Sequence, residues 1–434
     1  MTFWTKAGAA AVVLAAAVRL VAAEPPPAEK FERKGPLAGL PSAPGPNVEK
    51  IKALGDNAWL NLGSPAADPQ WGKARGRAWS SRMPYAPDLK AAFIMGEGVH
   101  CWWNKQNNRY MDDLFAYDVY GHRWVCAYPG TDVKSVELKL DANGFEVDAD
   151  GRPTPVAQLG HGYEQQTYDT DLKRFMFMPG ASGDWQSAAP FGAKRKAWGV
   201  SYQGMPRNHS PWTYDVQNGL WDMKNVAGPN PARGATTLGA VLVYVPGLKK
   251  AFFFAGYDEV AFYDPAANSW EVIKRPSPAP PFGIDAVACL DPGRSRIYAG
   301  GVCGKPNAFW YYDLKARAWV DPQPQGKPFN GENDFTTNRS AMNFDSANDV
   351  ALVCCHLTGA EGKAKGIYVY DPKDNQWTEE PLALPAGFNP GKYANCVSSF
   401  YCPDLNAHFF HVAGDSGDNG IIWAYRYKRA AEKK

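Results

Sequence analysis

The stretch VAFYDPAANSW, from Val260 to Trp270, decides the fold because its pattern returns along the chain. It consists of an apolar-aromatic run, the pair Tyr-Asp, five variable residues and a Trp. The other copies are LFAYDVYGHRW (ending at Trp124), PWTYDVQNGLW (Trp221), FWYYDLKARAW (Trp319) and IYVYDPKDNQW (Trp377). Successive Trp positions differ by 97, 49, 49 and 58 residues, and a period near 50 indicates a repeat architecture.

Each copy is typical of two β-strands joined by a tight turn. The apolar run is the first strand, and Trp lies in the returning strand. Asp begins the turn, because its carboxylate accepts hydrogen bonds from the backbone N–H groups just ahead of it. We therefore expect the Tyr and Trp of every copy to pack between sheets and the Asp to cap a turn. These are structural roles.

A second phrase occurs six times, as in VLVYVPGLKKAFFFAG (241–256). It consists of an apolar strand, a tight turn, another apolar strand and then small residues. The last copy is followed by GIIWAYRYK (420–428), which has no returning Trp strand after it. Near the other end, NAWLNLGSP (57–65) reads as a returning strand with no partner before it. The sequence thus predicts that a strand around Trp59 completes the last sheet, closes a ring and removes exposed sheet edges.

These phrases resemble the kelch-repeat β-propeller family, of the galactose oxidase central-domain-like superfamily, over essentially the whole chain after residue 47. The resemblance implies four-stranded antiparallel blades around a central axis, and the six copies imply an all-β, six-bladed kelch-like propeller. The chain departs from the kelch pattern in one respect: the glycine doublet after the second strand is intact only at Gly300-Gly301.

The ends of the chain predict export. Residues 1–23 have a charged start, an apolar run from Ala7 to Val18 and small residues before Glu24, which is typical of a signal peptide. The run is shorter than the roughly 20 residues of a membrane span. We expect a secreted or periplasmic protein with a Pro-rich spacer at 24–47, the propeller at 48–428 and a charged tail at 429–434.

The composition limits the classes of binding partner and cofactor that we expect. With 46 basic and 44 acidic residues there is no reason to expect nucleic acid, and we expect a monomer. Eight cysteines permit disulfides in an exported protein, but the sequence does not choose the pairs. Cys101 with Cys126, and Cys396 with Cys402, are close only in sequence. No C-x-x-C pair or clustered His set indicates a metal, and no cofactor is predicted.

The long connecting segments are predicted to gather at one end of the propeller. In an up-and-down blade the turns between strands one and two, and three and four, share an end, and here all of them are tight. The other connections form what we call the loop-rich end, and long loops on a rigid scaffold commonly bind ligands. Three tryptophans there, Trp102, Trp185 and Trp198, could stack on sugar rings or grip a partner. They could equally form the loops' own small hydrophobic clusters.

The first residues of each inner strand should line the channel mouth at this same end. The candidates are Arg77, Trp79, His161, Tyr163, Glu164, Arg233, Asp285, Arg339 and Asn395. Such a mixture of charged and polar groups suits a polar ligand. A water-filled channel would present the same mixture.

We favour a binding module for carbohydrate or another extracellular macromolecule, acting through the loop-rich face. The alternative is a sugar-modifying enzyme, epimerase-like or oxidase-like, with its site at the channel mouth. If the protein is an enzyme, we expect one deep pocket where five residues converge: Arg77, His161, Glu164, Asp285 and Arg339. If it is a binding module, we expect a shallower face, dominated by the three tryptophans, with the channel mouth plugged.

Overall fold

The structure, a computed structural model, describes most of the chain after residue 32. The described ranges are 33–77, 79–96, 103–104 (backbone), 108–132, 134–156, 162–179, 192–198, 210–223, 226–228, 231, 239–255, 259–273, 286–300, 308–326, 340–356, 365–378, 380–390, 397–413 and 420–429.

Six four-stranded antiparallel sheets form the blades of a propeller, as the repeat count predicts. Blade 1 contains β2 (Tyr85–Ala86), β3 (Ala91–Met95), β6 (Leu114–Asp118) and β7 (Arg123–Tyr128). Blade 2 contains β10 (Gln166–Asp169), β11 (Arg174–Phe177), β12 (Trp212–Asp215) and β13 (Leu220–Asp222). Blade 3 contains β14 (Val241–Val245), β15 (Lys250–Phe254), β16 (Val260–Asp264) and β17 (Ser269–Ile273).

The remaining blades follow the same order from the axis outwards. Blade 4 contains β18 (Val287–Asp291), β19 (Arg296–Gly300), β20 (Phe309–Asp313) and β21 (Ala318–Val320). Blade 5 contains β22 (Ser340–Asp345), β23 (Val350–Cys355), β24 (Gly366–Asp371) and β25 (Gln376–Trp377). Blade 6 contains β26 (Val397–Cys402), β27 (Ala407–Val412), β28 (Ile421–Arg426) and, as its outermost strand, β1 (Ala58–Gly63).

Smaller elements decorate this ring. Helix α1 (Pro46–Lys52) precedes β1, and helix α2 (Gly192–Ala197) lies in the connection between β11 and β12. Two short hairpins pair β4 (Trp103–Asn104) with β5 (Arg109–Tyr110), and β8 (Lys139–Leu140) with β9 (Glu146–Val147). No described helix has the length and apolar character needed to cross a membrane.

The repeated Tyr and Trp form a cross-strand pair in each blade. In blade 3, Tyr263 lies directly opposite Trp270, and their ring centroids are 5.2 Å apart. The equivalent pairs are Tyr117–Trp124 (5.6 Å), Tyr214–Trp221 (5.2 Å), Tyr312–Trp319 (5.4 Å) and Tyr370–Trp377 (5.2 Å). All ten rings are buried, so the structural role predicted for the phrase is confirmed. Aromatic pairs of this kind stabilise a sheet by about 0.5–1.5 kcal/mol beyond their area burial.

The turns at one end of the propeller share one geometry. Each described turn between the first and second or the third and fourth strands of a blade has four residues. Its fourth residue has a positive φ, as at Asn268 (48°) and Lys249 (52°). The turn between β16 and β17 is capped as predicted, because Asp264 Oδ1 accepts hydrogen bonds from the N–H groups of Ala266 and Ala267 at 3.1 and 2.9 Å. We call this the tight-turn end.

The ring closure rebuilds the repeat from the two ends of the chain. Trp59 of β1 lies opposite Tyr425 of β28 with ring centroids 4.5 Å apart, which supplies the sixth Tyr–Trp pair. Asn57 has φ 50°, like Asn268 at the same position of blade 3. The Tyr425 hydroxyl donates to Asn57 Oδ1 at 3.1 Å, as Tyr263 donates to Asn268 Oδ1 at 2.8 Å. The predicted closing strand is therefore confirmed.

The described part of the Pro-rich segment lies against the blades. Leu37 and Leu40 are buried in one core cluster with Leu89, in the first turn of blade 1. Val48 and Ile51 of α1 share another cluster with Leu405, at the same position of the turn in blade 6. This segment therefore covers part of the tight-turn end before the chain enters β1.

The cysteines that the structure describes include buried free thiols. Cys126 and Cys402 are free thiols buried in the core, and so are Cys289 and Cys354. Cys101 and Cys396, their close neighbours in sequence, lie outside the described residues.

Candidate functional site

Two bulky residues adopt unusual backbone conformations at the channel mouth. Trp79 has φ 56° and Tyr163 has φ 41°, values that L-residues with large side chains rarely adopt. The Tyr163 N–H donates to the Trp79 carbonyl, and the two rings lie 6.2 Å apart. The structure thus brings together two of the predicted site residues from adjacent blades. Tyr163 is buried and Trp79 is half-buried.

Arg77, a third predicted residue, is fully buried near this mouth. Its Nη2 atom donates to Asp113 Oδ1 at 2.7 Å. Its charge also acts on His411 of β27, and burial together with that charge lowers the pKa of His411 to about 3. Arg77 therefore joins the entry of blade 1 to the start of β6 beside a neutral histidine.

Glu164 is turned away from the mouth and lies on the channel axis. It forms an ion pair with Arg82 and accepts a hydrogen bond from Ser81. Arg82 also donates to the Leu242 carbonyl at 3.0 Å and the Ala288 carbonyl at 2.6 Å, so one guanidinium joins four blades. Burial raises the pKa of Glu164 to about 7, although Arg82 and Ser81 oppose the shift. We call the Arg82–Glu164 pair the axial seal.

The other predicted residues are distributed as follows. Trp198 is half-buried just after α2. His161, Arg233, Asp285, Arg339, Asn395, Trp102 and Trp185 lie outside the described residues. His408 and His411 of β27 point to opposite faces of blade 6, because His408 contacts Asp345 of blade 5 and His411 packs on Trp124 of blade 1. The structure shows no group of three or more His, Cys, Asp or Glu in its described ranges that could hold a metal.

A groove on the flank of the propeller was not predicted. It encloses about 590 Å³ between blade 1, the segment 129–154 and the outer strands of blade 2, and we call it the flank groove. Its inner wall includes Tyr128, Tyr214 and Trp221, and its outer wall includes Asp132, Asp148 and Asp150. Leu220 stands at its edge with 56% of its surface exposed. A volume of this size is in the usual range for ligand sites.

The outer wall is held by a buried ion pair between two insertions. Arg195 of α2 donates through Nε and Nη2 to the two carboxylate oxygens of Glu146 in β9, at 2.8 and 2.9 Å. Nη2 also donates to the Val156 carbonyl at 3.0 Å. Both side chains are fully buried. Arg195, which belongs to a basic cluster in the sequence, therefore fixes the groove wall and does not face solvent.

A second anchor fixes the wall at its start. Asp112 is fully buried and accepts hydrogen bonds from the Thr131 N–H and hydroxyl at 2.9 and 2.8 Å. The Tyr128 hydroxyl is 2.7 Å from the same Thr131 hydroxyl. Burial raises the pKa of Asp112 to about 7. The two anchors together hold the segment 131–156 against blade 2.

Carboxylates dominate the polar character of the flank groove. Of the residues that the structure describes, four acidic side chains line the groove, and the two basic ones are Arg109 and Arg152. Arg109 donates to the Gly130 carbonyl at 2.6 Å and lies over the Trp71 ring at 4.7 Å, so its charge is engaged. Hydrogen bonds from the backbone, chiefly that of Lys134, lower the pKa of Asp132 and keep it ionised.

Trp221 lines the inner wall, but its indole nitrogen is not exposed to the groove. Its Nε1 atom is buried and has no hydrogen-bond partner among the residues that the structure describes. A buried indole N–H usually has an acceptor. Sequence reasoning gave Trp221 a packing role, which it has, and missed that the same side chain lines a groove. The signal available was the acidic DADGR stretch (148–152) in the longest described insertion.

These blades define a kelch-like β-propeller. Kelch domain-containing protein 1 from Mus musculus is 24% identical to this chain over 153 aligned residues. That alignment covers 27% of this chain and 36% of the mouse protein, so it spans little more than a third of the relative. Among solved structures, an oligogalacturonate lyase from Vibrio parahaemolyticus gives a TM-score of 0.42 with 9% identity, over 86% of this chain and 98% of the other. No family model matches the chain.

Proposed function

We propose that this protein is an exported binding module that holds a neutral carbohydrate chain in the flank groove. The observation that carries the proposal is the flank groove, in which a wall of carboxylates faces a wall that contains the exposed Leu220 and the rings of Tyr128 and Trp221. Export is supported by the pattern of residues 1–23.

The chemistry of the groove suits a neutral saccharide. Sugar hydroxyls donate hydrogen bonds to carboxylates, and the carboxylates of Asp132, Asp148 and Asp150 line one wall. The apolar C–H face of a sugar ring packs on aliphatic and aromatic side chains, which Leu220 and Tyr128 provide on the other wall. Because acidic side chains outnumber basic ones, an acidic saccharide is repelled.

The axial seal also favours a binding module over a sugar-modifying enzyme. The enzyme requires Arg77 and Glu164 to converge in one pocket at the channel mouth. Glu164 pairs with Arg82 on the axis, and Arg77 pairs with Asp113. These two pairings support a binding site away from the channel mouth.

A glycan array of the full-length mature protein, with neutral and uronate-containing saccharides, tests the proposal first. We expect retention of a neutral oligosaccharide and no retention of its acidic counterpart. Isothermal titration with that ligand then compares variants. Asp150→Asn removes a charged acceptor from the groove wall and should weaken binding about three- to tenfold while leaving the Tm unchanged. Leu220→Glu adds a charge at the edge and should weaken binding by about tenfold or more.

Leu248→Glu is the matched control, because Leu248 is 44% exposed in a turn of blade 3 and does not line the groove. It should bind as tightly as the wild type. Equal loss in Leu220→Glu and Leu248→Glu, or unchanged affinity in both groove variants, would overturn the proposal.

A further inference from the structure

A second cavity lies on the propeller axis at the tight-turn end. It encloses about 310 Å³, and every one of the six blades contributes residues from the second half of its inner strand. Arg82 of the axial seal forms its floor, so the cavity is blind and opens on the face opposite the loop-rich end. It shares no lining residue with the flank groove.

The walls of this axial cavity are aromatic and apolar. Four of the blades contribute a tyrosine, and Phe344 and Phe400 stand beside them. The tyrosines are Tyr85, Tyr168, Tyr244 and Tyr401. Val243, Ala288 and Leu290 supply aliphatic surface. An apolar cavity with few polar groups is the usual form of a small-molecule site.

The four tyrosines are fixed by hydrogen bonds that point away from the axis. The Tyr168 hydroxyl donates to Asp88 at 2.9 Å, and that of Tyr244 donates to Asp171 at 2.5 Å. The hydroxyl of Tyr401 donates to Asn406 at 3.0 Å, and that of Tyr85 donates to Asp404 at 3.2 Å. These bonds hold the rings in place, so the collar is preorganised. Burial raises the pKa of each of the four, so the collar is uncharged at neutral pH.

Among the described residues, the floor supplies the one cationic side chain that lines the cavity. The Arg82 side chain is 15% exposed, whereas its partner Glu164 is 1% exposed and does not line the cavity. Asn343, whose Nδ2 donates to Ser399 Oγ at 2.7 Å, stands on the wall with its amide half-buried. No acidic side chain of the described ranges lines this cavity. The floor therefore offers a ligand the N–H donors of a guanidinium whose counter-ion lies behind it.

We infer that the axial cavity binds a small aromatic carboxylate, with its ring inside the aromatic collar and its carboxylate towards Arg82. The volume accommodates one or two rings. The carboxylate adds a charge-assisted hydrogen bond to a guanidinium that is already held in position by two carbonyl groups. The ring replaces water against rigid aromatic surfaces.

Titration of the full-length protein with benzoate, benzamide and acetate separates the two contributions. Benzamide has the same shape without the charge, and acetate has the charge without the ring. We expect benzoate to bind, benzamide to bind about tenfold or more weakly, and acetate to show no saturable binding. Equal binding of benzoate and benzamide, or no saturable binding of benzoate, would contradict the inference.

Leu290→Trp tests the location, because a larger side chain at this half-buried wall position fills the cavity and leaves the axial seal intact. It should abolish benzoate binding. Leu220→Trp is the matched control, since Leu220 is 56% exposed on the flank groove, and it should leave benzoate binding unchanged.

If Leu290→Trp fails to fold, 4-iodobenzoate soaked into wild-type crystals gives the answer. An anomalous iodine peak inside the collar, with the carboxylate at Arg82, supports the inference. A peak elsewhere, or ordered water alone in the cavity, overturns it. A failure here leaves the saccharide proposal untouched, because the two sites share no residue.

Discussion

Removing Arg195 should release the outer wall of the flank groove. In Arg195→Met, Glu146 loses two charge-assisted hydrogen bonds of 2.8 and 2.9 Å and remains a buried carboxylate. Breaking a buried ion pair in this way costs about 3–5 kcal/mol. The third bond, from Nη2 to the Val156 carbonyl, disappears as well. The wall is an insertion on a ring of blades that is complete without it. We therefore expect the lost free energy to appear as local unfolding of the wall, while the blades stay folded.

Hydrogen exchange measures that cost directly. At about 1.36 kcal/mol per factor of ten, protection of the wall amides should fall by roughly two to three and a half powers of ten. The reporting amides include Thr154, which donates to the Glu146 carbonyl at 3.1 Å, and Phe145, which donates to Asp141 Oδ1 at 2.8 Å. Affinity for the saccharide should fall with them.

Two comparisons decide whether the reasoning holds. The double variant Glu146→Met with Arg195→Met leaves no buried charge, so most of the protection should return. Arg174→Met is the matched control, because Arg174 is paired with Asp222 at 3.0 Å but is 25% exposed, and it should cost less than about 1 kcal/mol. Unchanged protection in Arg195→Met, or a double variant as damaged as the single one, would refute the account of the wall.

Three further changes test the ring and its anchors. Trp59→Ala removes the ring that faces Tyr425 at 4.5 Å, and it should lower the free energy of unfolding by about 3 kcal/mol in urea titrations; a change below about 1 kcal/mol would contradict the closure. Asp264→Ala removes the cap of one tight turn, and it should lower the free energy of unfolding by about 1 kcal/mol in the same assay. An unchanged free energy of unfolding would contradict the capping role of Asp264. Burial raises the pKa of Asp112 from 3.8 to about 7, so the contribution of this group to stability is present below about pH 4 and is lost as the pH rises through 7. Asp112→Asn mimics the protonated form, with its Oδ1 accepting from the Thr131 N–H and its Nδ2 donating to the Thr131 hydroxyl. Its stability relative to the wild type should therefore rise between about pH 4 and pH 7, by up to about 1.4 kcal/mol per pH unit, and should level off above pH 7. A pH-independent difference between the two proteins would contradict the shift.

The sequence was sufficient for the fold because each blade carries its own local signal. Tyr263, Asp264 and Trp270 lie within one hairpin, so their spacing reports the register of two neighbouring strands. Ring closure was also readable, because Trp59 and Tyr425 each lacked the partner that the repeat requires. Local chemistry and periodicity settle both questions without knowledge of long-range packing.

The sites were not readable in the same way. The sequence predicted Glu164 as a site residue but did not reveal its ion pair with Arg82, because Arg82 belongs to no motif. The walls of the flank groove come from segments nearly a hundred residues apart, such as Tyr128 and Trp221. Arg195 and Glu146, which bring those segments together, lie in two insertions without a repeat period. Only three-dimensional packing places such residues together.

The central claim is that the flank groove holds a saccharide. A crystal structure of the complex with the neutral oligosaccharide selected by the array tests it most directly. We expect a sugar ring against Leu220 and sugar hydroxyls within about 3.2 Å of carboxylate oxygens of Asp132, Asp148 or Asp150 on the opposite wall. A saccharide bound elsewhere on the propeller, with the groove occupied by solvent alone, would contradict the claim.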